Sequence, residues 1–254
     1  MAIPVNPAEG QTSQSKGEVG ISLNMRSSGG EGAFGWGVLD HLLIEPSIRI
    51  ESICATGTGA LNAVAFAYGL ASGGRRGARL ALAKLWRRIA RDRLFENSDQ
   101  IRNDKMSALQ RILEQVVDFE CFRLGTPVHV FLMIVRGGRE TRIVANRKIS
   151  INQVLAAVGR LGLTGSGEAQ AASGDVTAPA NIGAITGDRG ETTARSPVKA
   201  YDLSAFLMLR DAGRRYAPRL LGNGIRAARQ SVIDRCADKP EETQSVFKPS
   251  HYLH

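Results

Sequence analysis

The chain has 254 residues, and its 33 Lys and Arg against 24 Asp and Glu give a net charge of +9. Its length is sufficient for one substantial α/β core, and a mean hydropathy of −0.13 excludes a protein with many membrane spans. The charge favours anionic partners such as a phospholipid surface, whereas nucleic acid is not expected because the basic residues are spread along predicted helices without interleaved aromatic side chains.

The first 18 residues carry Pro4 and Pro7 but no apolar run, so we predict a disordered N-terminal segment. This segment has the pattern of neither a secretory signal nor a membrane span, and a cytoplasmic location is the resulting expectation. The three cysteines, Cys54, Cys121 and Cys236, are far apart and lack the spacing of metal ligands. We therefore expect neither a disulfide framework nor a metal site.

Two successive units then have the pattern of a strand, a glycine turn and a helix. Apolar residues alternate from Val19 to Leu23, glycines crowd the segment 29–37, and helical spacing continues until Pro46. The pattern repeats with a strand over 48–53, small residues over 55–59 and a helix over 60–68. Two such units in tandem predict parallel strands, and hence a three-layer α/β/α fold with a mainly parallel sheet.

The rest of the chain is divided by composition. Residues 19–158 form the predicted core. It also includes a Ser-Gly-Gly break over 72–74, helices over 77–90 and 106–117, and a strand over 128–135 with a hairpin turn into 141–144. Gly, Ala, Ser and Thr dominate 159–200, which we interpret as a low-complexity loop or a degraded segment. The C-terminal part, 201–238, is predicted to be helical, with a helix that starts at Leu203 and reaches Arg219. Residues 239–254 are predicted to form a polar tail.

The first glycine turn allows a dinucleotide-binding interpretation. Gly30 to Gly35 read G-x-G-x-x-G between a strand and a helix, and Glu51 is predicted near the end of the next strand, where such a fold places its ribose-binding acid. A three-glycine motif is a weak signal. It also leaves the second turn unexplained.

The second turn lies where an α/β hydrolase has its nucleophile elbow. The segment Ala55-Thr56-Gly57-Thr58-Gly59 reverses the chain between a strand and a helix, with the small flanking residues that an elbow needs. The central position should carry serine. Here it carries Gly57.

Both turns together resemble the patatin-like phospholipases of bacteria. That family has an oxyanion turn of the form G-G-G-x-[R/K/H]-G, followed by a helix and an elbow reading G-T-S-A-G-A-x-N-A. In this sequence residues 27–39 read SSGGEGAFGWGVL and residues 55–63 read ATGTGALNA. The similarity extends over about 19–155 and returns near 201–235.

The resemblance implies a lipid acyl hydrolase that needs no metal or organic cofactor, but its catalytic parts have changed. The nucleophile position falls on Gly57, and Ser28, Gly29 and Gly30 correspond to the oxyanion turn, in which Glu31 replaces the family's cation. The family's D-G-[G/A] aspartate motif is absent, and Asp188 is the nearest weak substitute. We therefore expect a catalytically inactive or decayed member that retains a lipid or fatty acyl ligand or an anionic membrane surface as its partner.

Two other interpretations stay open at this stage. An active hydrolase could use Thr58, Thr56 or Cys54 as a non-standard nucleophile, although the threonines point differently out of the turn and the cysteine lies on a strand. A dinucleotide-binding protein is the other alternative. His41 and His129 neighbour none of the candidate nucleophiles and are interpreted as structural.

Overall fold

A computed structural model of the protein describes residues 19–95, 102–136, 140–163, 181–186 and 202–237. The strands are β1 (Val19–Ser27), β2 (Ile48–Gly57), β3 (His129–Arg136), β4 (Glu140–Ala145) and β5 (Asn181–Thr186). The helices are α1 (Gly32–Leu42), α2 (Thr58–Arg91), α3 (Arg102–Val116), α4 (Phe119–Leu124), α5 (Ile151–Leu163) and α6 (Leu203–Ala237). Short 3-10 turns span Gly29–Glu31 and Asn146–Lys148.

The strands form one sheet in the order β4-β3-β2-β1-β5. The neighbouring pairs β3–β2, β2–β1 and β1–β5 are parallel. Strand β4 runs antiparallel to β3, with Arg136 opposite Glu140. The predicted mainly parallel sheet is confirmed, and β3 and β4 pair antiparallel as predicted, whereas residues 137–139 of the predicted turn lie outside the described residues. From β1 the chain continues to β2 and β3 on one side of the sheet, and it returns to the other side of β1 to form β5. The carboxyl end of β1 is therefore a topological switch point, which is where open α/β sheets bind their ligands.

The period-two alternation of β1 and β2 divides the sheet into two faces. Ile21, Leu23 and Met25 are almost completely buried on one face, and Met25 contacts the start of α1 and of α2 through Gly35 and Gly59. On the other face the Thr56 hydroxyl lies 3.5 Å from the carbonyl oxygen of Ala157 on α5. Helices thus cover the sheet on both sides, in the expected three-layer α/β/α arrangement.

Helix α2 is bent where the sequence predicts a break. Gly73 and Gly74 have non-helical backbone angles, and Gly74 has a φ of +59°, a conformation that glycine adopts at little cost. The bend separates an apolar first half, buried from Thr58 to Ala67, from a basic second half. The two halves therefore contact different parts of the molecule.

Some elements differ from the sequence expectation. Strand β5 lies inside the segment 159–200, which we interpreted as a low-complexity loop or a degraded segment, and it pairs with β1 over Ser22–Arg26. The small residues of β5 give no clear strand pattern in the sequence. The strand forms because its backbone hydrogen-bonds to β1, a contact with a distant segment that the local sequence does not reveal. Helices α4 and α5 were not predicted, whereas α6 runs to Ala237, close to the end of the predicted helical part over 201–238. The segments 1–18 and 239–254 lie outside the described residues.

Helix α6 packs closely on α1 through glycines. A Cβ atom on Gly37 would lie 1.9 Å from the carbonyl oxygen of Arg210, and one on Gly213 would lie 2.1 Å from that of Phe34. The two helices thus approach with backbone against backbone. In the part of the chain that the structure describes, no helix is both long and apolar enough to cross a membrane.

Candidate functional site

The two glycine turns lie side by side at the carboxyl edge of the sheet. Strands β1 and β2 end together, with Ser27 directly opposite Gly57 in the parallel register. The 3-10 turn over Gly29–Glu31 follows β1, and α2 begins at Thr58 immediately after β2. This edge, next to the switch point, is the candidate site.

Gly57 has the backbone conformation of an elbow. Its φ of +60° and ψ of −143° lie in a region that side-chain-bearing residues rarely adopt, and it serves as the N-cap of α2 without a side-chain hydrogen bond. A nucleophile elbow is a strained turn of this kind between a strand and a helix. The local backbone thus has the shape that the sequence pattern predicts.

There is no room for a side chain at Gly57. A Cβ atom placed there would lie 2.0 Å from the carbonyl oxygen of Ser27, far inside van der Waals contact. The obstacle is backbone on the neighbouring strand, which cannot rotate away as a side chain could. A serine at this position would require the ends of β1 and β2 to separate.

Thr58 follows Gly57 but is enclosed. Its side chain is completely buried, and its hydroxyl lies 2.9 Å from the hydroxyl of Ser27. Gly32 closes the other side, because a Cβ atom there would come within 2.6 Å of the Thr58 hydroxyl oxygen. Thr58 therefore links the two turns and is not exposed to a substrate. Thr56 is directed to the opposite face of the sheet, towards α5.

Cys54 lies three residues before the elbow and is partly buried. Burial raises the pKa of its thiol, and the positive charge of Arg26 opposes this effect only in part. The thiolate is the nucleophilic form of cysteine, so a raised pKa keeps Cys54 in the unreactive form at neutral pH.

The turn after β1 contains Ser28, Gly29 and Gly30, which the sequence resemblance predicts as an oxyanion turn. Gly29 and Gly30 are buried, Gly29 has a φ of +50°, and the amide of Glu31 donates a hydrogen bond to the carbonyl oxygen of Ser28 at 3.2 Å. The half-buried Glu31 adds a carboxylate to this turn.

A buried network behind the turns was missed by the sequence reasoning. The Asn62 side chain donates a hydrogen bond to the carbonyl oxygen of Gly32 at 2.7 Å, and the Trp86 indole donates one to the Asn62 side-chain oxygen at 2.8 Å. This network fastens α1 to both halves of α2. Asn62 occupies the asparagine position of the quoted elbow motif, and that match was the available signal.

The other candidate residues do not join this site. Asp188 lies outside the described residues. His41 lies 3.5 Å from Glu45 one helical turn later, and His129 is the first residue of β3. Within the described ranges there is no group of three or more His, Cys, Asp or Glu side chains that could hold a metal ion.

The position of Glu51 contradicts the dinucleotide-binding interpretation. Glu51 lies in the first half of β2, where its carboxylate contacts Gly20 at the start of β1 and pairs with Arg49 at 2.6 Å. The glycine turn is at the opposite, carboxyl edge of the same strands. The prediction that Glu51 is near the strand end is therefore wrong, and this carboxylate cannot serve a ribose bound at the turn.

The fold and the paired turns define an α/β protein with a mainly parallel sheet and a glycine elbow at its carboxyl edge. No known protein family and no curated protein matches the chain. Among solved structures, the chain is similar to a chain of the heterodimeric ExoU–SpcU complex from the type III secretion system of Pseudomonas aeruginosa. The TM-score is 0.37 with 11% identity, and the match covers 81% of this chain and 52% of that chain. This protein thus spans about half of its structural neighbour's length.

Proposed function

We propose that the protein is a patatin-like member of the lipid acyl hydrolases that no longer cleaves esters and instead binds lipid. The observation that carries the proposal is the elbow itself. Gly57 has the strained backbone of a nucleophile position, yet it has no side chain and no space for one. A covalent acyl intermediate requires a nucleophilic side chain, which Gly57 lacks.

Neither Thr58 nor Cys54 offers a replacement. Thr58 is enclosed by Ser27 and Gly32, and burial raises the pKa of the Cys54 thiol. Removing the nucleophile of a serine hydrolase lowers turnover by a factor on the order of a million. An aspartate at position 188 would have no serine hydroxyl to activate, so its presence near the site would not restore hydrolysis.

The lipid part of the proposal depends on the resemblance of the two turns to patatin-like enzymes and on their position at the switch point of the sheet. That edge is where an α/β sheet binds its ligand, whether or not a reaction follows. Loss of the nucleophile removes bond cleavage but leaves the surrounding surface in place. We therefore propose a fatty acyl group as the ligand.

The test is esterase turnover on a short p-nitrophenyl ester together with labelling by a fluorophosphonate, which traps activated serine. We expect neither turnover above the buffer rate nor labelling, for the wild type and for Thr58→Val and Cys54→Ala. Turnover that disappears in one of these variants would overturn the proposal and identify the nucleophile. Binding of a fluorescent fatty acid, measured by titration, tests the ligand, and its absence would refute the lipid-binding part alone.

A further inference from the structure

A groove of about 400 Å³ lies between α1, the second half of α2 and α6. It is outside the candidate site, because it faces the carboxyl-terminal half of α1 and not the glycine turns. Five arginines contribute to its lining, Arg75, Arg76, Arg79, Arg210 and Arg214. Residues from three helices thus bring positive charge to one place.

The positive charge of the groove exceeds its negative charge. Asp40 accepts hydrogen bonds from Arg79 at 2.7 Å and from Arg214, and Arg210 pairs with Asp211 at 2.8 Å. Among the described residues, two carboxylates pair with these five guanidinium groups, Asp40 in the lining and Asp211 outside it, which leaves an excess of three positive charges.

Two of the arginines contribute to this excess in different ways. Within the described residues, Arg75 donates hydrogen bonds only to backbone carbonyl oxygens around the end of α1, including those of Glu45 at 2.9 Å and Ile48 at 2.7 Å. Arg76 is exposed, and no hydrogen bond or ion pair joins it to another residue of the described chain. An anion bound here would reduce the repulsion among these groups.

The same groove exposes aliphatic side chains. Leu80 and Ile44 line it and are 62% and 56% exposed. Leu80 follows Arg76 by four residues, so both lie on one face of α2, and the exposed Arg87 continues that face. Arginines next to exposed aliphatic groups are typical of surfaces that bind at the boundary between lipid headgroups and acyl chains.

We propose that this groove docks the protein onto a membrane surface that contains anionic phospholipids. Arg76 and the other arginines of the groove bind the headgroup phosphates. Leu80 and Ile44 enter the boundary between the headgroups and the acyl chains. The net charge of +9 favours this partner over a neutral surface. An acidic peptide would satisfy the arginines but would give no reason for the exposed aliphatic side chains. The proposal is independent of whether the glycine elbow binds a fatty acid.

The experiment is sedimentation of the full chain with phosphatidylcholine vesicles that either contain or lack phosphatidylserine. We expect binding only when phosphatidylserine is present. Each arginine charge near such a surface contributes about a fivefold change in affinity, so Arg76→Glu, which changes the charge by two, should weaken binding about 30-fold. Leu80→Ser should weaken it about tenfold, because it removes the inserted aliphatic group.

Matched controls have the same substitutions at exposed positions outside the groove. Arg147→Glu changes the charge equally on the 3-10 turn after β4, and Leu124→Ser alters a side chain that is 88% exposed. Both should bind vesicles within about twofold of the wild type. Circular dichroism verifies that all four variants keep their secondary structure.

Three results would overturn the proposal. Equal losses in Arg76→Glu and Arg147→Glu would show that diffuse charge, and not the groove, drives binding. Binding of inorganic phosphate that requires Arg76, without vesicle binding, would indicate a site for small anions. Binding of soluble polyglutamate that requires Arg76, again without vesicle binding, would indicate an acidic protein partner.

Discussion

Gly57 is held in its conformation by the residue opposite to it. The parallel register places Ser27 beside Gly57, and the carbonyl oxygen of Ser27 fills the position of a Cβ atom. At this position any other residue has both backbone strain and a steric clash with main-chain atoms. Glycine is thus required by the present packing, because a serine at this position would displace the main chain of the neighbouring strand.

Substitution of Gly57 by serine should destabilise the protein. Strain at such backbone angles costs about 1–3 kcal/mol, and overpacking against a neighbouring strand adds a similar amount. We expect a total loss of about 4 kcal/mol in the free energy of unfolding and no gain in esterase turnover, measured by urea denaturation and by fluorophosphonate labelling. The control is Gly73→Ala, because nothing lies within 4 Å of a Cβ atom there and its φ is −160°. A stable Gly57→Ser protein that reacts with fluorophosphonate would contradict the prediction.

At the level of elements, the contact between α1 and α6 depends on residues without side chains. Gly213 lies against the carbonyl oxygen of Phe34, and Gly37 lies against that of Arg210. Phe34 also contacts Tyr216 on α6, with their ring centroids 5.5 Å apart. The two helices can pack this closely because Gly37 and Gly213 have no side chains.

The substitution Gly213→Ala distinguishes this packing from intrinsic helix propensity. In an isolated helix alanine is more stable than glycine by about 1 kcal/mol, so propensity alone would stabilise the variant. We expect the opposite, a net loss of about 2 kcal/mol in the free energy of unfolding, because the added methyl group would lie 2.1 Å from the carbonyl oxygen of Phe34. Thermal unfolding measures the change. Met208→Ala on the same helix, 73% exposed, should change stability by less than about 0.5 kcal/mol. Increased stability of Gly213→Ala would rule out the close contact.

At the scale of the whole molecule, Asp40 joins three helices. Its side chain is only 5% exposed and accepts hydrogen bonds from Arg79 on α2 and from Arg214 on α6. Residues 40 and 214 are separated by 174 positions along the chain. The carboxylate therefore holds the C-terminal helix on the body of the fold.

Asp40→Asn should loosen α6. The substitution removes the negative charge that compensates Arg79 and Arg214. Because both guanidinium groups are partly exposed, we expect a loss of about 2 kcal/mol in the free energy of unfolding, which is less than for a fully buried pair. Amide hydrogen exchange should accelerate in α6 more than in β2. Glu120→Gln, which breaks the exposed pair with Arg123, is the control and should leave exchange unchanged. Uniform acceleration across the sheet would contradict a local role of Asp40.

Much of the fold was predictable because it depends on short-range patterns. Alternating apolar residues in β1, the glycines before α1 and the small residues around Gly57 each specify a local conformation, and two units in tandem imply parallel pairing. The break at Gly73 and Gly74 was predictable for the same reason. In each case the relevant residues are near one another in the sequence.

The sequence alone thus determined the mainly parallel α/β class, the two turns and the absence of a nucleophile side chain at position 57. Only the tertiary structure decided that Ser27 occupies the space beside Gly57, that Thr58 is enclosed, and that Glu51 lies at the wrong edge for a ribose. It also placed β5 next to β1 and assembled the arginine groove from helices far apart in the chain. The reason is physical, because steric exclusion and charge clustering depend on distances between residues that chain order does not specify.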